Sequence, residues 1–111
     1  MTVKLSISDR INFASLYPEQ GTVLTQMVVK DINSKVSLTT EEMASISLVQ
    51  EGNTVKWDAK RAEKLERDVD FTDAEVSFLQ SRVDELDKAG RVTLHVVELF
   101  NRIRGLAKGK V

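Results

Sequence analysis

The chain has 111 residues, of which 41% are hydrophobic and 30% charged, with a formal net charge of −1 and no cysteine. This composition is typical of one folded domain, and it excludes a disordered chain, a disulfide scaffold and thiol chemistry. No apolar run approaches the roughly 20 residues that span a bilayer, and residues 1–10 lack the apolar core of a signal peptide. We therefore expect a single compact cytoplasmic domain over residues 1–104, without membrane contact, followed by a flexible basic tail over residues 105–111.

The first predicted helix is short. Ser6 and Asp9 are spaced as in a capped helix start, and the apolar stripe that follows ends where Pro18 and Gly21 interrupt the helical pattern. Thr22 then caps a second helix, whose apolar residues recur at helical spacing. The sequence predicts a broad buried face on this second helix, formed by Val23, Leu24, Met27, Val28, Ile32 and Val36.

A third helix and a hairpin are predicted next. Thr39 followed by Glu42 is a capping box, which opens a short helix carrying Met43 and Ile46. The apolar period then changes to two on either side of Gln50–Asn53, which contains the Gly-Asn pair typical of a hairpin turn. We expect a small antiparallel β-hairpin at this point of the chain.

The region after the hairpin is harder to assign. Asp58–Arg67 has high helix propensity but a thin apolar stripe, which indicates either a solvated helix or an ordered loop. Asp68–Phe71 alternates polar and apolar residues, which favours a short third strand returning to the hairpin.

The last third predicts a helical pair. Thr72 and Glu75 form a second capping box, Gly90 ends the helix, and Thr93 is placed to cap the final helix. A short loop between two helices favours their packing as a helical hairpin. The fold class is thus α+β and mainly helical, with about five helices and a small antiparallel hairpin or three-stranded sheet. The apolar stripes of the pair are Val76, Leu79, Val83 and Leu86 on one helix and Leu94, Val97, Phe100 and Ile103 on the other.

Residues with catalytic or metal-binding chemistry are scarce. His95 is the single histidine, and no serine lies in a recognisable nucleophile motif. The acidic run from Asp68 to Glu75 does not match a calcium loop, because Asp73 replaces the turn glycine and Leu79 the bidentate glutamate. Glu41 and Glu42 are explained as acids favoured in the first turn of a helix. We therefore expect no catalytic residue, no metal and no cofactor.

The positive charge gathers at the C-terminus. Residues 91–111 carry five basic residues against one acidic residue, whereas residues 58–90 carry six against ten. These cations complement the negative end of the last helix, and they are also the candidate contacts for nucleic acid or an acidic partner. The candidates are Arg102, Arg104, Lys108 and Lys110.

One observation favours a winged-helix fold, namely the order of the predicted elements along the chain. A first helix, a helix-turn-helix over residues 22–47 and a hairpin follow one another in the order of that fold. The helix that would read DNA begins Thr40–Met43 and contains no lysine or arginine, although contacts to phosphate and guanine depend on those residues. Nucleic-acid binding is therefore the alternative and not the leading hypothesis.

Several segments along the chain, S-I-S-D-R-I, L-Y-P-E-Q-G-T, L-T-T-E-E, Q-E-G-N-T-V-K-W and F-T-D-A-E, give a pattern that resembles small uncharacterised bacteriophage and prophage proteins. The shared motifs are a turn at Leu16–Gly21, a capped helix and a strand at Val55–Trp57. The resemblance implies a phage or bacterial accessory protein in the cytoplasm of a bacterial or phage-infected cell, and it carries no activity and no site residues.

The sequence thus favours a small non-enzymatic interaction protein that binds a protein partner. Its apolar helix faces are broad enough that part of them could meet a partner or a second copy of the chain, as in a homodimer. Two alternatives stay open. One is the winged-helix protein, and the other is sequestration of a small anionic ligand at helix N-termini such as Thr22, Thr39 or Thr72.

Overall fold

The computed structural model describes residues 2–106, and it confirms a mainly helical α+β fold with two small antiparallel sheets. Helices and strands are mixed along the chain, and a 3₁₀ helix extends the first α-helix. In chain order the elements are β1 (Thr2–Leu5), α1 (Ile7–Asn12), the 3₁₀ helix (Phe13–Leu16), α2 (Val23–Val36), α3 (Thr40–Ser45), β2 (Val49–Glu51), β3 (Thr54–Lys56), α4 (Ala59–Ala62), β4 (Arg67–Asp70), α5 (Asp73–Lys88) and α6 (Val97–Arg104).

The predicted hairpin is confirmed as β2 and β3, with Glu51 opposite Thr54 and Gly52 in the turn at a φ of 59°. The predicted third strand also exists as β4, but its predicted partner was wrong. β4 pairs with β1, so that Val3 lies opposite Val69, and the two sheets stay separate. The sequence did not predict β1, because four residues with one fully buried side chain, Leu5, give too short an alternation to recognise.

The predicted helix starts are confirmed at four positions. Thr22 Oγ1 accepts from the backbone N–H of Thr25 at 3.1 Å. Three further starts are reciprocal capping boxes, in which a hydroxyl accepts from the third N–H and a carboxylate accepts from the cap N–H. These boxes pair Ser6 with Asp9, Thr39 with Glu42 and Thr72 with Glu75.

The predicted start of the last helix was wrong. Thr93 does not cap it; α6 begins at Val97, and Val96 at the cap position makes no side-chain capping bond. The N–H of Val96 donates to the Thr93 carbonyl at 3.2 Å, which closes a turn that brings Val96 into the core. Leu94 precedes the helix and is 87% exposed, whereas Val96 is buried. Burial of Val96 therefore decides where the helix starts, and the hydroxyl of Thr93 does not.

Residues 58–66 form one helical turn and then a loop, and Arg67 already belongs to β4. Asp58 caps α4 by accepting from the N–H groups of Lys60 and Arg61 at 3.0 and 3.2 Å. Of this turn only Ala62 is buried, so the helix ends after four residues and the chain turns into β4. The thin apolar stripe seen in the sequence accounts for this short helix.

Among residues 2–106, two apolar clusters hold the fold together. In the main cluster, α5 and α6 pack with the 3₁₀ helix, the C-terminal half of α2 and the β1–β4 sheet, and Phe13 stacks on Phe71 with ring centroids 5.9 Å apart. The smaller cluster joins α1 to the α3–α4 region through Ile7, Ile46 and Ala62. The predicted stripe of α5 is confirmed, with Leu86 half-buried and Val76, Leu79 and Val83 fully buried.

The broad buried face predicted for α2 was wrong. Ile32 and Val36 are buried in the main cluster and Val28 packs partly against it. In the described chain, neighbouring elements pack only against the C-terminal half of α2, so its first two turns remain open to solvent. Val23, Leu24 and Met27 are therefore 79%, 73% and 57% exposed.

A buried arginine ties α1 to the α2–α3 junction. The Arg10 residue is 3% exposed, and its Nε and Nη2 donate to the carbonyls of Val36 and Ser37 at 2.9 and 2.8 Å. Its Nη1 and Nη2 bind the two carboxylate oxygens of Glu42 at 2.7 and 2.9 Å. One guanidinium thus satisfies the end of α2 and fixes the carboxylate that caps α3.

The Arg10–Glu42 pair should make the fold sensitive to acid. The hydrogen bonds from Arg10 lower the pKa of Glu42 to about 2, against the opposing effect of partial burial, and the N–H of Thr39 adds to the lowering. Because the pKa is lower in the folded state, this stabilisation is complete above about pH 5 and is lost as the pH falls toward 2. Between pH 7 and pH 3 we expect the pair to lose about 2 kcal/mol of unfolding free energy.

Urea unfolding at pH 7 and pH 3 measures this loss. Glu42→Gln should remove about 2 kcal/mol from the pH dependence, whereas Glu41→Gln, at the exposed neighbouring position, should keep it. An unchanged pH dependence in Glu42→Gln would contradict the assignment of the acid-sensitive group.

Candidate protein-interaction site

The first two turns of α2 carry an exposed apolar surface, which we call the α2 surface and define as Val23, Leu24 and Met27. The stretch V-L-T-Q-M-V-V over residues 23–29 contains no charged side chain. Three large apolar side chains on adjacent turns form a contiguous patch, in contrast to single exposed apolar residues, which are common on protein surfaces. The α2 surface is thus the strongest candidate for contact with another molecule.

A shallow groove runs beside the α2 surface, with a volume of about 350 Å³. Its walls combine apolar side chains with a few polar groups, as is usual where another chain docks. The groove is lined by Gly21, Thr22, Val23, Gln26, Met27 and Lys30.

The position of this surface is fixed from both ends of α2. Thr22 caps the N-terminus, and Gln26 Nε2 donates to the Pro18 carbonyl at 3.4 Å. At the other end, Ile32 and Val36 lie in the main cluster, and the Val36 carbonyl is held by Arg10. The α2 surface therefore belongs to a regular helix with both ends held, which reduces the entropy lost when a partner binds.

The basic residues predicted to contact nucleic acid or an acidic partner are engaged within the chain where the structure describes them. Arg102 forms an ion pair with Asp9 and donates to the Lys4 carbonyl at 3.3 Å. Arg104 lies 2.9 Å from Asp87 and 3.3 Å from Asp84, and these pairs raise its pKa above the ordinary value. Lys108 and Lys110, with most of the predicted basic tail, lie outside the described residues.

Other residues with possible chemistry are dispersed. His95 is exposed, and its carbonyl accepts from Asn12 Nδ2 at 3.4 Å. Glu75 is buried, where it binds Lys35 at 2.6 Å and caps the N–H of Thr72. Within residues 2–106 no group of three histidine or acidic side chains could hold a metal ion.

The helix N-termini named as possible anion sites differ in what they bind. The two capping boxes place the chain's own carboxylates there, since Glu42 accepts from Thr39 and Glu75 from Thr72 at 2.9 Å each. Thr22 has a hydroxyl cap and no carboxylate. In the candidate recognition helix α3, the acidic Glu42 faces Arg10, and in the hairpin Lys56 lies 3.7 Å from Glu51.

The α2 surface was present in the sequence, as apolar residues at helical spacing after Thr22, but the pattern predicted burial. The N-terminal half of α2 is exposed because no other apolar segment covers it in the described chain. A short stretch of sequence does not show which segments will cover a helix.

Comparison with protein-family models, with curated proteins and with solved structures gave no match. In residues 2–106 no helix has both the length and the apolar character needed to cross a membrane.

Proposed function

We propose that this protein is a small non-enzymatic interaction protein that binds a partner protein through the α2 surface. The observation that carries the proposal is the exposure of Val23, Leu24 and Met27 on a capped, uncharged stretch of helix. Burying apolar surface of this kind is the main driving force of protein association. The resemblance to bacteriophage proteins supports a role as a phage or prophage accessory protein.

The occupant we infer is an amphipathic helix of the partner with apolar residues at a spacing of three and four. The α2 surface covers about two turns of one helix, which matches the contact that a single docked helix makes. A stable dimer usually buries about 800 Å² on each subunit. Such an interface has about 20 to 30 residues on each side, whereas the α2 surface has three, which favours a partner helix over a second copy.

Charged residues at the borders of the α2 surface would orient the docked helix. Residues 23–29 are uncharged, whereas Lys30 and Asp31 follow at the C-terminal border and Glu19 precedes the helix. A partner helix would place its apolar face against Val23, Leu24 and Met27 and its polar residues at these borders. Rim charges of this kind set the orientation and the association rate more than the affinity.

A selection of helical peptides against the folded protein tests this function. We expect enriched peptides with an apolar face, and we expect Leu24→Lys to weaken their binding at least tenfold, because a buried lysine charge lacks a partner in the interface. The matched control is Leu94→Lys, because Leu94 is also exposed, at 87% against 73% for Leu24, but lies outside the α2 surface.

The control variant should bind the selected peptides like the wild type, and both variants should unfold at the same urea concentration as the wild type. Peptides that bind Leu24→Lys as tightly as Leu94→Lys would contradict the proposal. A stable dimer in sedimentation that becomes monomeric in Leu24→Lys would replace the partner helix by a second copy.

A further inference from the structure

A second, polar pocket lies at the turn that joins the 3₁₀ helix to α2. Its volume is about 620 Å³, within the range of small-molecule sites. The turn Leu16–Gly21, which the sequence singled out as a motif, forms one wall, and the end of α5 forms the other. The groups that matter for binding are Tyr17, Glu19, Gln20, Arg82 and Arg91.

The hydroxyl of Tyr17 is buried without a hydrogen-bond partner, and within residues 2–106 it is the only side-chain polar atom in that condition. A buried hydroxyl normally has a partner, because leaving it unpaired costs free energy. Burial also raises the pKa of Tyr17 from 10 to about 12, so the phenol stays protonated well above neutral pH and can donate. Tyr17 lines the pocket, and a bound molecule that displaces the side chains covering its hydroxyl could accept this hydrogen bond.

Two arginines complete the pocket. Arg82 is held in place, because its Nε donates to the Leu16 carbonyl at 2.8 Å and its Nη1 to Glu85 at 3.1 Å, which leaves three of its five N–H donors. Arg91 has no side-chain partner among residues 2–106. Its backbone is nevertheless fixed by a helix C-cap in which Gly90 has a φ of 69° and the N–H of Arg91 donates to the Leu86 carbonyl at 2.9 Å.

We propose that this pocket binds a small organic oxyanion, a carboxylate or a phosphate ester, between Arg82 and Arg91, with the Tyr17 hydroxyl as a further donor. Guanidinium groups match both anions in geometry and charge. The acidic groups at the pocket are Glu19 in the wall and Glu85 beside Arg82, and of the two arginines that line the pocket only Arg91 lacks an acidic partner among residues 2–106. This site is separate from the α2 surface and does not depend on the proposed function.

The single tyrosine of the chain provides a direct test. Protein labelled with ¹³C-tyrosine gives one set of ring signals, all from Tyr17, which can be followed during titration with citrate, with glycerol 3-phosphate and with neutral glycerol. We expect a saturable shift with at least one of the two anions and none with glycerol, and the anion that acts identifies the preferred group.

Variants distinguish binding in this pocket from general attraction of anions to basic side chains. Arg91→Gln should weaken the anion at least tenfold, and Tyr17→Phe, followed by thermal shift, should weaken it about threefold to tenfold. Arg61→Gln on α4 removes the same charge outside the pocket and should leave binding unchanged. Leu24→Lys should also leave it unchanged, so that failure of one proposal is distinguishable from failure of the other.

The free protein provides a second readout. Because the Tyr17 hydroxyl has no partner in the described chain, Tyr17→Phe should unfold at the same urea concentration as the wild type or at a higher one. A clear loss of stability would show that the hydroxyl serves the fold, and it would overturn the proposal. Absence of a saturable shift with both anions, or equal binding by Arg91→Gln and Arg61→Gln, would overturn it as well.

Discussion

Replacing Arg10 by methionine should destabilise the protein by about 3 to 5 kcal/mol, because one partner of a buried ion pair is removed while the other remains. The side chain of Arg10 is fully buried and forms four hydrogen bonds, two to Glu42 and two to backbone carbonyls at the end of α2. Methionine fills most of the volume, so the loss measures hydrogen bonding and charge more than packing. Urea unfolding at pH 7 provides the measurement.

The matched control is Arg61→Met on α4. Arg61 pairs with Asp58 at 3.5 Å, but both side chains are largely exposed, so its removal should cost less than about 1 kcal/mol. A double variant, Arg10→Met with Glu42→Met, should recover part of the loss, because no unpaired charge is left. Equal stabilities of Arg10→Met and Arg61→Met would contradict the role given to the buried guanidinium.

Replacing Phe13 by alanine should destabilise the protein by a similar amount, about 3 to 5 kcal/mol, because a large buried ring leaves a cavity. Phe13 is 1% exposed and belongs to the 3₁₀ helix, and its ring stacks nearly parallel on Phe71 with an angle of 9° between the planes. Phe71 in turn lies under the Lys35 ammonium at 6.0 Å from the ring centroid. The substitution therefore weakens the contact between the N-terminal elements and the segment from β4 to α5.

Phe78→Ala is the comparison, because Phe78 packs against the same cluster but is only half-buried. Its loss in urea unfolding should be clearly smaller than that of Phe13→Ala. If the two variants lose the same stability, the stacked pair does not have the central place in the core that its burial indicates.

The helix starts could be predicted because a capping box is local. The side chains of Thr39 and Glu42, or of Thr72 and Glu75, satisfy backbone groups within three residues of themselves. The same is true of the hairpin turn, where Gly52 takes a positive φ. All residues that form such a feature lie within a few positions of one another, so a short stretch of sequence is enough to predict it.

The remaining features depend on contacts between distant segments. β1 and β4 are separated by more than sixty residues in the chain, as Thr2 opposite Asp70 illustrates. Arg10 is bound by groups at positions 36, 37 and 42, and nothing near it in the sequence marks it as buried. The start of α6 was predicted wrongly for the same reason, because burial of Val96 in the core outweighs the capping preference of Thr93.

The two candidate sites also combine features that a local stretch of sequence contains with features that depend on contacts between distant segments. The apolar residues of the α2 surface were visible in the sequence, but their exposure depends on which elements cover the helix. The pocket at Tyr17 is assembled from the Leu16–Gly21 turn and the end of α5, which only the fold brings together. The sequence pattern indicated the apolar residues of the α2 surface and the Leu16–Gly21 turn, but it did not indicate Arg82 or Arg91 as binding residues. The tertiary structure decides that these residues form surfaces.

Residue-by-residue mapping of peptide binding tests the claim that the α2 surface is the binding surface. ¹⁵N-labelled protein would be titrated with the most enriched helical peptide while the backbone amide signals are followed. We predict that the largest shifts fall on residues 21–30 and that the signals of the β2–β3 hairpin and of α6 change little. Shifts concentrated on α6 or the hairpin, with residues 21–30 unchanged, would contradict the claim.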